Sequence, residues 1–160
     1  MRLGFGLALG ILAMSANGCD SAGASPNQPI AFPHQSHTEN QIECGFCHEY
    51  TDSHAAAGLP ETELCGTCHQ AMSQDSEATQ KLMEFVEQDA PIPWVRLYEL
   101  PGFTHFNHKR HIRADVSCSE CHGDIGTSRR AERHQVLDME WCIGCHEQRD
   151  ASVDCVTCHI

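Results

Sequence analysis

The chain has 160 residues, of which 11 are cysteine and 12 are histidine, whereas aromatic residues make up only 6%. Its formal net charge of −12 excludes general binding to nucleic acid, whose phosphates attract basic surfaces. Most of this charge lies in one part of the chain, since residues 38–90 include eleven acidic side chains and a single lysine. Such a segment suits a basic protein partner, and it is equally expected if the charge only keeps the protein soluble.

The N-terminal segment has the features of a secretion signal. One arginine is followed by an apolar run over residues 3–14 and by small residues that end at Cys19. This pattern resembles a bacterial lipoprotein signal, in which the cysteine becomes the first mature residue and is acylated. We therefore predict a signal peptide over 1–18, lipidation of Cys19, a tether over 19–33, and a position on the periplasmic side of the inner or outer membrane. The alternative is an ordinary cleaved signal that leaves Cys19 as an unmodified thiol.

Ten of the cysteines form five copies of one motif, Cys-x-x-Cys-His. In this motif the two thiols form thioether bonds to a haem, and the histidine binds its iron. Structural zinc does not require a histidine after every cysteine pair, and a disulfide scaffold would not keep five pairs at one spacing. The sequence therefore predicts five covalently bound haem c groups. The attachment cysteines are Cys44, Cys47, Cys65, Cys68, Cys118, Cys121, Cys142, Cys145, Cys155 and Cys158, and the iron-binding histidines are His48, His69, His122, His146 and His159.

Little of this chain can form an ordinary apolar core. If Cys19 is the first mature residue, 142 residues serve the predicted haems, so we expect the haems themselves to form much of the core. One helix is predicted with clear apolar periodicity, over residues 75–89, with Asp75 or Ser76 as its cap. No segment alternates as a strand does. The predicted fold class is mainly α with extensive loops, a haem-packed multihaem cytochrome c with few or no strands.

Seven histidines remain outside the motifs, and four of them belong to an internal repeat with an offset of 74 residues. An iron that already holds its motif histidine has one axial position left, so two neighbouring histidines cannot both bind it. One histidine of each pair must therefore reach a different haem, which ties two haems together. The repeat divides the predicted cytochrome domain, 34–160, into halves at about 34–90 and 91–160. The repeated positions are His34, His37 and Cys44 in the first half, and His108, His111 and Cys118 in the second.

The pattern Phe-x-His-x-x-His before a haem motif resembles the class III multihaem cytochromes c. In that family the first histidine generally serves its own haem and the second serves a neighbour. Three stretches, AAAGLPETELCGTCH, IPWVRLYELPGFTHFNHKRHIRADVSCSECHG and LDMEWCIGCH, are similar to the pentahaem cytochrome subunit of alternative complex III, a quinol-oxidising membrane complex, and to related multihaem subunits of quinone-linked complexes. The resemblance implies electron transfer to periplasmic carriers, and distal ligation by the repeated histidines His34, His37, His108 and His111.

These four histidines leave one of the five predicted haems without a distal ligand. The family's Met-x-Trp-Cys sequence makes Met139 a candidate, and a thioether would raise the potential of that haem above its neighbours. His54, His105 and His134 are rival candidates, because imidazole is the commoner ligand when one is available. The sequence leaves the choice among the four open.

The predicted function is electron transfer without enzymatic activity of the chain's own. The leading prediction is a lipid-anchored subunit that links a quinol-oxidising membrane complex to a periplasmic cytochrome or other acceptor, and the alternative is a free-standing lipoprotein shuttle. A multihaem reductase is disfavoured because all five motifs end in histidine and spare ligands outnumber irons. A haem filament is disfavoured because the sequence specifies no pair of complementary self-binding surfaces.

Overall fold

A computed structural model of the chain describes residues 25–159. The predicted signal peptide at 1–18 and the predicted lipidation site at Cys19 lie outside these residues. The described chain is helical with long loops and contains no strand, although an isolated antiparallel bridge joins Thr104 and His159. The predicted fold class is therefore confirmed. Over the same residues, none of the helices has the length and apolar character needed to cross a membrane.

Most of the helices are only one or two turns long. Helices this short are marginal in water on their own, so they depend on whatever packs against them. In chain order the elements are α1 (His34–Thr38), α2 (Cys44–Cys47), α3 (Thr62–His69), α4 (Glu77–Glu87), α5 (His108–Arg113), α6 (Cys118–His122), a 3-10 helix (Ile125–Thr127), α7 (Met139–Gln148) and α8 (Cys155–Cys158).

Helix α4 is the one predicted from apolar periodicity, and its bounds are Glu77–Glu87 rather than 75–89. Ser76 is its N-cap, and the Ser76 hydroxyl accepts a hydrogen bond from the backbone N–H of Thr79 at 3.0 Å. Leu82, on its predicted apolar face, is buried. Helix α4 packs against α3, which carries the second haem motif. The prediction of a helix here is confirmed.

The apolar core is small. Ile30, Leu82 and Ile92 form a buried cluster, with Trp94 and other partly buried side chains packed around it. By contrast Val156, inside the fifth motif, is 86% exposed. Ordering each residue costs about 1–2 kcal/mol of backbone entropy, which a cluster of this size cannot offset for the whole domain. The small core agrees with the expectation that haem supplies much of the buried surface.

Residues 25–33, the later part of the predicted tether, lie against the folded domain. The side chain of Gln28 donates to the carbonyl oxygen of Val95 at 2.8 Å and accepts from the N–H of Val95 at 2.9 Å. Arg130 donates to the carbonyl oxygen of Ser25 at 3.1 Å. With Ile30 in the core, these contacts hold this segment in place.

Replacing Leu82 with alanine should lower the free energy of unfolding by about 2–3 kcal/mol, because the cluster loses buried methyl groups and retains a cavity. Denaturant titration of the haem-loaded protein, followed by helical circular dichroism, measures the change. Glu84→Ala, on the exposed face of the same helix, is the matched control and should change stability by less than about 0.5 kcal/mol. Equal losses in the two variants would show that the cluster around Leu82 is not a stabilising core.

Candidate haem sites

Every Cys-x-x-Cys-His motif lies on a helical turn, one each in α2, α3, α6, α7 and α8. Cysteines three residues apart on a helix project from the same face, so each pair can bond to one edge of a porphyrin. All ten motif cysteines are free thiols, as thioether attachment requires. In the described part of the chain, no group of three or more histidine, cysteine, aspartate or glutamate side chains is placed to hold an isolated metal ion.

Three motif histidines each face a histidine from a separate helix. A transition metal binds an imidazole nitrogen at about 2 Å, so two rings on opposite sides of one metal have their centres roughly 6 Å apart. The observed separations fit an iron held between two imidazoles. The ring centres are 6.1 Å apart for His37 and His69, 6.1 Å for His111 and His146, and 6.5 Å for His108 and His122, whose ring planes differ by only 7°.

His34 and His48 are electrostatic neighbours. Burial, followed by the neighbouring His48 and then His37, lowers the pKa of His34. A lowered pKa favours the neutral imidazole, which is the form that binds a metal. His34 and His48 occupy the repeat positions of His108 and His122.

Two imidazole nitrogens in these pairs are buried without a protein partner. The Nδ1 atoms of His34 and His69 accept or donate no hydrogen bond within the described structure. Burial lowers the pKa of His69 as well, with a further contribution from His37. Buried polar atoms are almost always satisfied in folded proteins. Iron would bind the opposite nitrogen, Nε2, so the partner missing from these Nδ1 atoms is a hydrogen-bond acceptor and not the metal.

Backbone carbonyl groups orient other motif histidines. Nδ1 of His48 donates to the carbonyl oxygen of Gly58 at 2.8 Å, and Nδ1 of His146 donates to that of Ser152 at 2.7 Å. When Nδ1 carries the hydrogen, Nε2 is left unprotonated and available to a metal, and the ring is held in one orientation. The loops that follow these motifs therefore position the ligands.

One phenylalanine in each half packs against both distal histidines. The ring of Phe106 stacks on His111 at 4.6 Å between centroids and lies edge-on to His108 at 4.7 Å. Phe32 makes the same contacts with the equivalent histidines, at 4.5 and 4.9 Å. A single ring thus holds two imidazoles that face different motifs.

Sequence reasoning did not single out Tyr98. Its ring lies edge-on to the imidazole of His122, with centroids 5.1 Å apart. The Tyr98 hydroxyl accepts a hydrogen bond from the N–H of His134 at 2.8 Å, and the Arg133 guanidinium lies 5.9 Å from the ring centre. Tyr98 therefore joins three segments around the third motif. Tyr98 has no fixed spacing from any haem motif. Only its place in the stretch that begins IPWVRLYELPG, which resembles related cytochromes, could have indicated a role.

The fifth motif is supported differently from the other four. Within residues 25–159, the ring that packs against His159 is Phe103, at 5.8 Å between centroids, and not an imidazole. Nδ1 of His159 donates to the carbonyl oxygen of Phe103 at 3.4 Å. His105 lies on this same side, because its N–H donates to the carbonyl oxygen of Cys158 at 2.7 Å. The segment 103–105 thus lies against the Nδ1 side of the His159 ring.

The other three candidates for the fifth distal ligand lie beside three different segments of the structure. The carbonyl oxygen of His54 accepts from the N–H of Lys109 at 3.2 Å, next to the distal histidine of the third motif. The ring of His134 lies 2.6 Å from where a Cβ on Gly123 would be, and Gly123 has a φ of +65°. Met139 begins α7 and is 66% exposed.

Cysteine pairs on helical turns, together with imidazoles paired across the span of one metal, define a multihaem c-type cytochrome. The chain belongs to the class III cytochrome c family, whose model matches residues 13–94. The model described as cytochrome c7 and related cytochrome c matches residues 104–160. The predicted resemblance to class III multihaem cytochromes is confirmed, and the family binds haem c covalently.

The chain is also similar to a multihaem cytochrome whose function is named. The chain is 27% identical to a protein of Nitratidesulfovibrio vulgaris (strain Hildenborough) described as the multiheme cytochrome c subunit of menaquinone reductase. The match spans 82% of this chain and 76% of that protein. The two chains therefore resemble each other over most of their lengths.

Replacing Phe106 with leucine should disturb two ligands at once. Loss of an aromatic stacking contact costs about 0.5–1.5 kcal/mol, which corresponds to shifts of roughly 20–60 mV in the potentials of the haems involved. Redox titration with low-temperature electron paramagnetic resonance of the ferric protein measures the change.

Phe32→Leu is the matched control, because Phe32 makes the equivalent contacts in the other half. The two substitutions should leave the haem content unchanged and shift two different pairs of haem signals. Identical spectra for Phe106→Leu and the unmodified protein would contradict a positioning role for this ring.

Proposed function

We propose that the chain is a pentahaem cytochrome that relays electrons between a quinol-oxidising membrane complex and periplasmic or terminal acceptors, without a substrate site of its own. When bound, haem supplies reversible one-electron chemistry at its iron. The chain's own residues attach each haem, ligate the iron from both sides and hold the ligands in place. The haems are numbered first to fifth in the chain order of their motifs.

The pairing of imidazoles carries this proposal. An iron with a protein ligand on both faces passes electrons but has no position left for a substrate. Three motif histidines face another imidazole across this width, and His48 is the electrostatic neighbour of His34, which supports the proposal. The proposed pairs are His34 with His48, His37 with His69, His108 with His122, and His111 with His146.

Met139 is the proposed distal ligand of the fifth haem. Nδ1 of His159 points toward the Phe103–His105 segment, so the iron-binding nitrogen faces away from that segment and from His105. Met139 lies three residues before Cys142 on α7, on the same helical face. After burial, the neighbouring Cys158 of the fifth motif raises the pKa of the Cys142 thiol. The exposed thioether of Met139 is therefore the candidate that its helix carries toward the fifth motif.

The proposed membrane partner follows from the relative and from charge. The relative is described as a subunit of a menaquinone reductase, and a quinone-linked complex is accordingly the proposed partner of this chain. Residues 38–90 carry eleven acidic side chains and one lysine. This excess of negative charge favours docking of a basic periplasmic carrier on the first half.

A lipid anchor at Cys19 would keep the domain close to the membrane. Ser25 is held against the domain by Arg130, and it lies six positions after Cys19 in the sequence. An extended chain spans about 3.5 Å per residue, so the anchor would limit this surface to roughly 20 Å from the lipid. The proposed location is the periplasmic side of a bacterial membrane.

Co-purification from membranes tests the proposed complex. The full chain is expressed in its native host with a C-terminal tag and extracted in mild detergent. It should co-purify with large membrane subunits, and its intact mass should correspond to five bound haems. Exchange of residues 1–19 for an ordinary cleaved secretion signal is the control for the anchor and should move the protein from the membrane to the soluble periplasmic fraction. A lone monomer with five haems would support the free shuttle instead, and fewer than five haems would refute the pentahaem assignment.

Met139→Ala should remove the near-infrared charge-transfer band that a ferric haem with histidine and methionine ligands displays. It should also lower the potential of the highest-potential haem, because thioether ligation raises that potential. Optical spectroscopy and redox titration of the purified ferric protein provide the two measurements.

His134→Ala is the control for Met139→Ala, and it should leave the charge-transfer band intact. Absence of the band from the unmodified protein would rule out Met139 as the ligand. A high-spin signal from one haem, with binding of added nitrite, would instead indicate an open iron and an enzymatic role.

A further inference from the structure

The two halves of the chain make the same backbone contact in both directions. The N–H of Gln35 donates to the carbonyl oxygen of Ser128 at 3.0 Å, and the N–H of Lys109 donates to that of His54 at 3.2 Å. With the repeat offset of 74 residues, Gln35 is equivalent in position to Lys109, and His54 is equivalent to Ser128. A reciprocal contact of this kind is what a two-fold relation between two similar units produces.

Further contacts place the first and third motifs at this junction. Helix α1 packs against the 3-10 helix that follows the third motif. The Thr38 hydroxyl donates to the carbonyl oxygen of Gly126, and Nε of Arg129 donates to the side-chain oxygen of Gln35 at 3.2 Å. The loop that follows the first motif makes the reciprocal contact with α5. The first and third motifs therefore adjoin the two-fold axis.

A further pair of bonds strengthens the junction. The backbone N–H of His108 and its Nδ1 both donate to the carbonyl oxygen of Ala55, at 3.0 and 2.9 Å. Ala55 follows the first motif by a short loop, and His108 faces His122 of the third. A carbonyl of the first half thus orients a distal histidine of the second.

Within each half, one short helix connects two haem sites. Helix α1 carries His34, which serves the first haem, and His37, which faces the motif histidine of the second. Helix α5 connects the third and fourth sites in the same way. An ion pair at 2.8 Å between Glu120 of α6 and Arg149, which follows α7, strengthens the second of these connections.

We infer that the halves are related by an internal two-fold axis and meet at their equivalent first motifs, which places the haems in the order second, first, third, fourth, fifth. This inference rests on the proposed attachment of five haems. The fifth haem extends the line beyond the fourth, since Nδ1 of His146 on α7 donates to the carbonyl oxygen of Ser152, three residues before α8, at 2.7 Å.

This order differs from the order of the motifs along the chain. Electrons that travel the full line run through the first half against the chain direction and through the second half with it. They cross between the halves at a single step, from the first haem to the third. The two ends of the line, at α3 and at α8, are then the surfaces at which donor and acceptor exchange electrons with the protein.

Iron positions in crystals of the unmodified, haem-loaded protein test the order directly. Anomalous scattering at the iron edge locates each iron, and the thioether bonds assign it to its motif. The shortest separation between the halves should join the first and third irons, and the longest separation of all should join the second and fifth. The first and second irons should superpose on the third and fourth by a two-fold rotation.

Two results would overturn the inference while leaving five-haem electron transfer intact. One is a translational relation between the halves, and the other is a second iron that lies nearest to the third or fourth. A protein with fewer than five irons would instead refute the proposed function, so the two failures are distinguishable.

Electron arrival times provide a solution test, because the chain has only two lysines, Lys81 and Lys109. A ruthenium photosensitiser on Lys81 of a Lys109→Arg variant injects electrons beside α3. His108→Met and His111→Met, made singly, place a high-potential trap at the third or the fourth haem. The trap at the third haem should fill several-fold faster than the trap at the fourth. Haem content by mass confirms that each variant is fully loaded.

Labelling Lys109 in a Lys81→Arg variant is the matched control. Lys109 lies on α5 between the two traps, so the difference in filling rate should disappear. A trap at the fourth haem that fills first from Lys81 would overturn the proposed order.

Discussion

The fold depends on imidazoles that face each other across the width of one metal. Helix α1 presents one such ring, His37, and helix α5 presents two, and each of the three faces a motif on a different helix. A pair of histidines three residues apart therefore joins segments that have little else to hold them together. The phenylalanine before each pair packs on both rings and keeps them aimed at different sites.

This constraint explains why the apolar core is so limited. The buried cluster around Leu82 stabilises α3 and α4, but the second half has no comparable cluster among its described residues. There the structure relies on polar contacts, such as the Glu120–Arg149 ion pair and the Tyr98 hydroxyl. A chain of this composition is best understood as a scaffold that positions cofactors, in keeping with its membership of the class III cytochrome c family.

Prediction succeeded where the physical cause is local. The helix at α4 follows from apolar spacing and a serine cap, and it is present with slightly narrower bounds. The role of the motif histidines as iron ligands stays a prediction, made from their position directly after the cysteine pairs. Predictions were incomplete for Tyr98 and for the Ala55 carbonyl, because a residue that supports a ligand from elsewhere in the chain has no required spacing. The sequence likewise did not predict that His54, His105 and His134 lie beside different segments of the structure.

The sequence by itself determined the chemistry of the sites. Each Cys-x-x-Cys-His motif places the attachment thiols and the iron-binding histidine within five consecutive residues, so their proximity does not depend on the rest of the fold. It also predicted that His34 and His37 serve different irons. Only the tertiary structure decided that His37 faces the second motif, and that the two halves meet through reciprocal backbone contacts. Those relations join residues far apart in the chain, so they depend on how the halves pack and not on any local pattern.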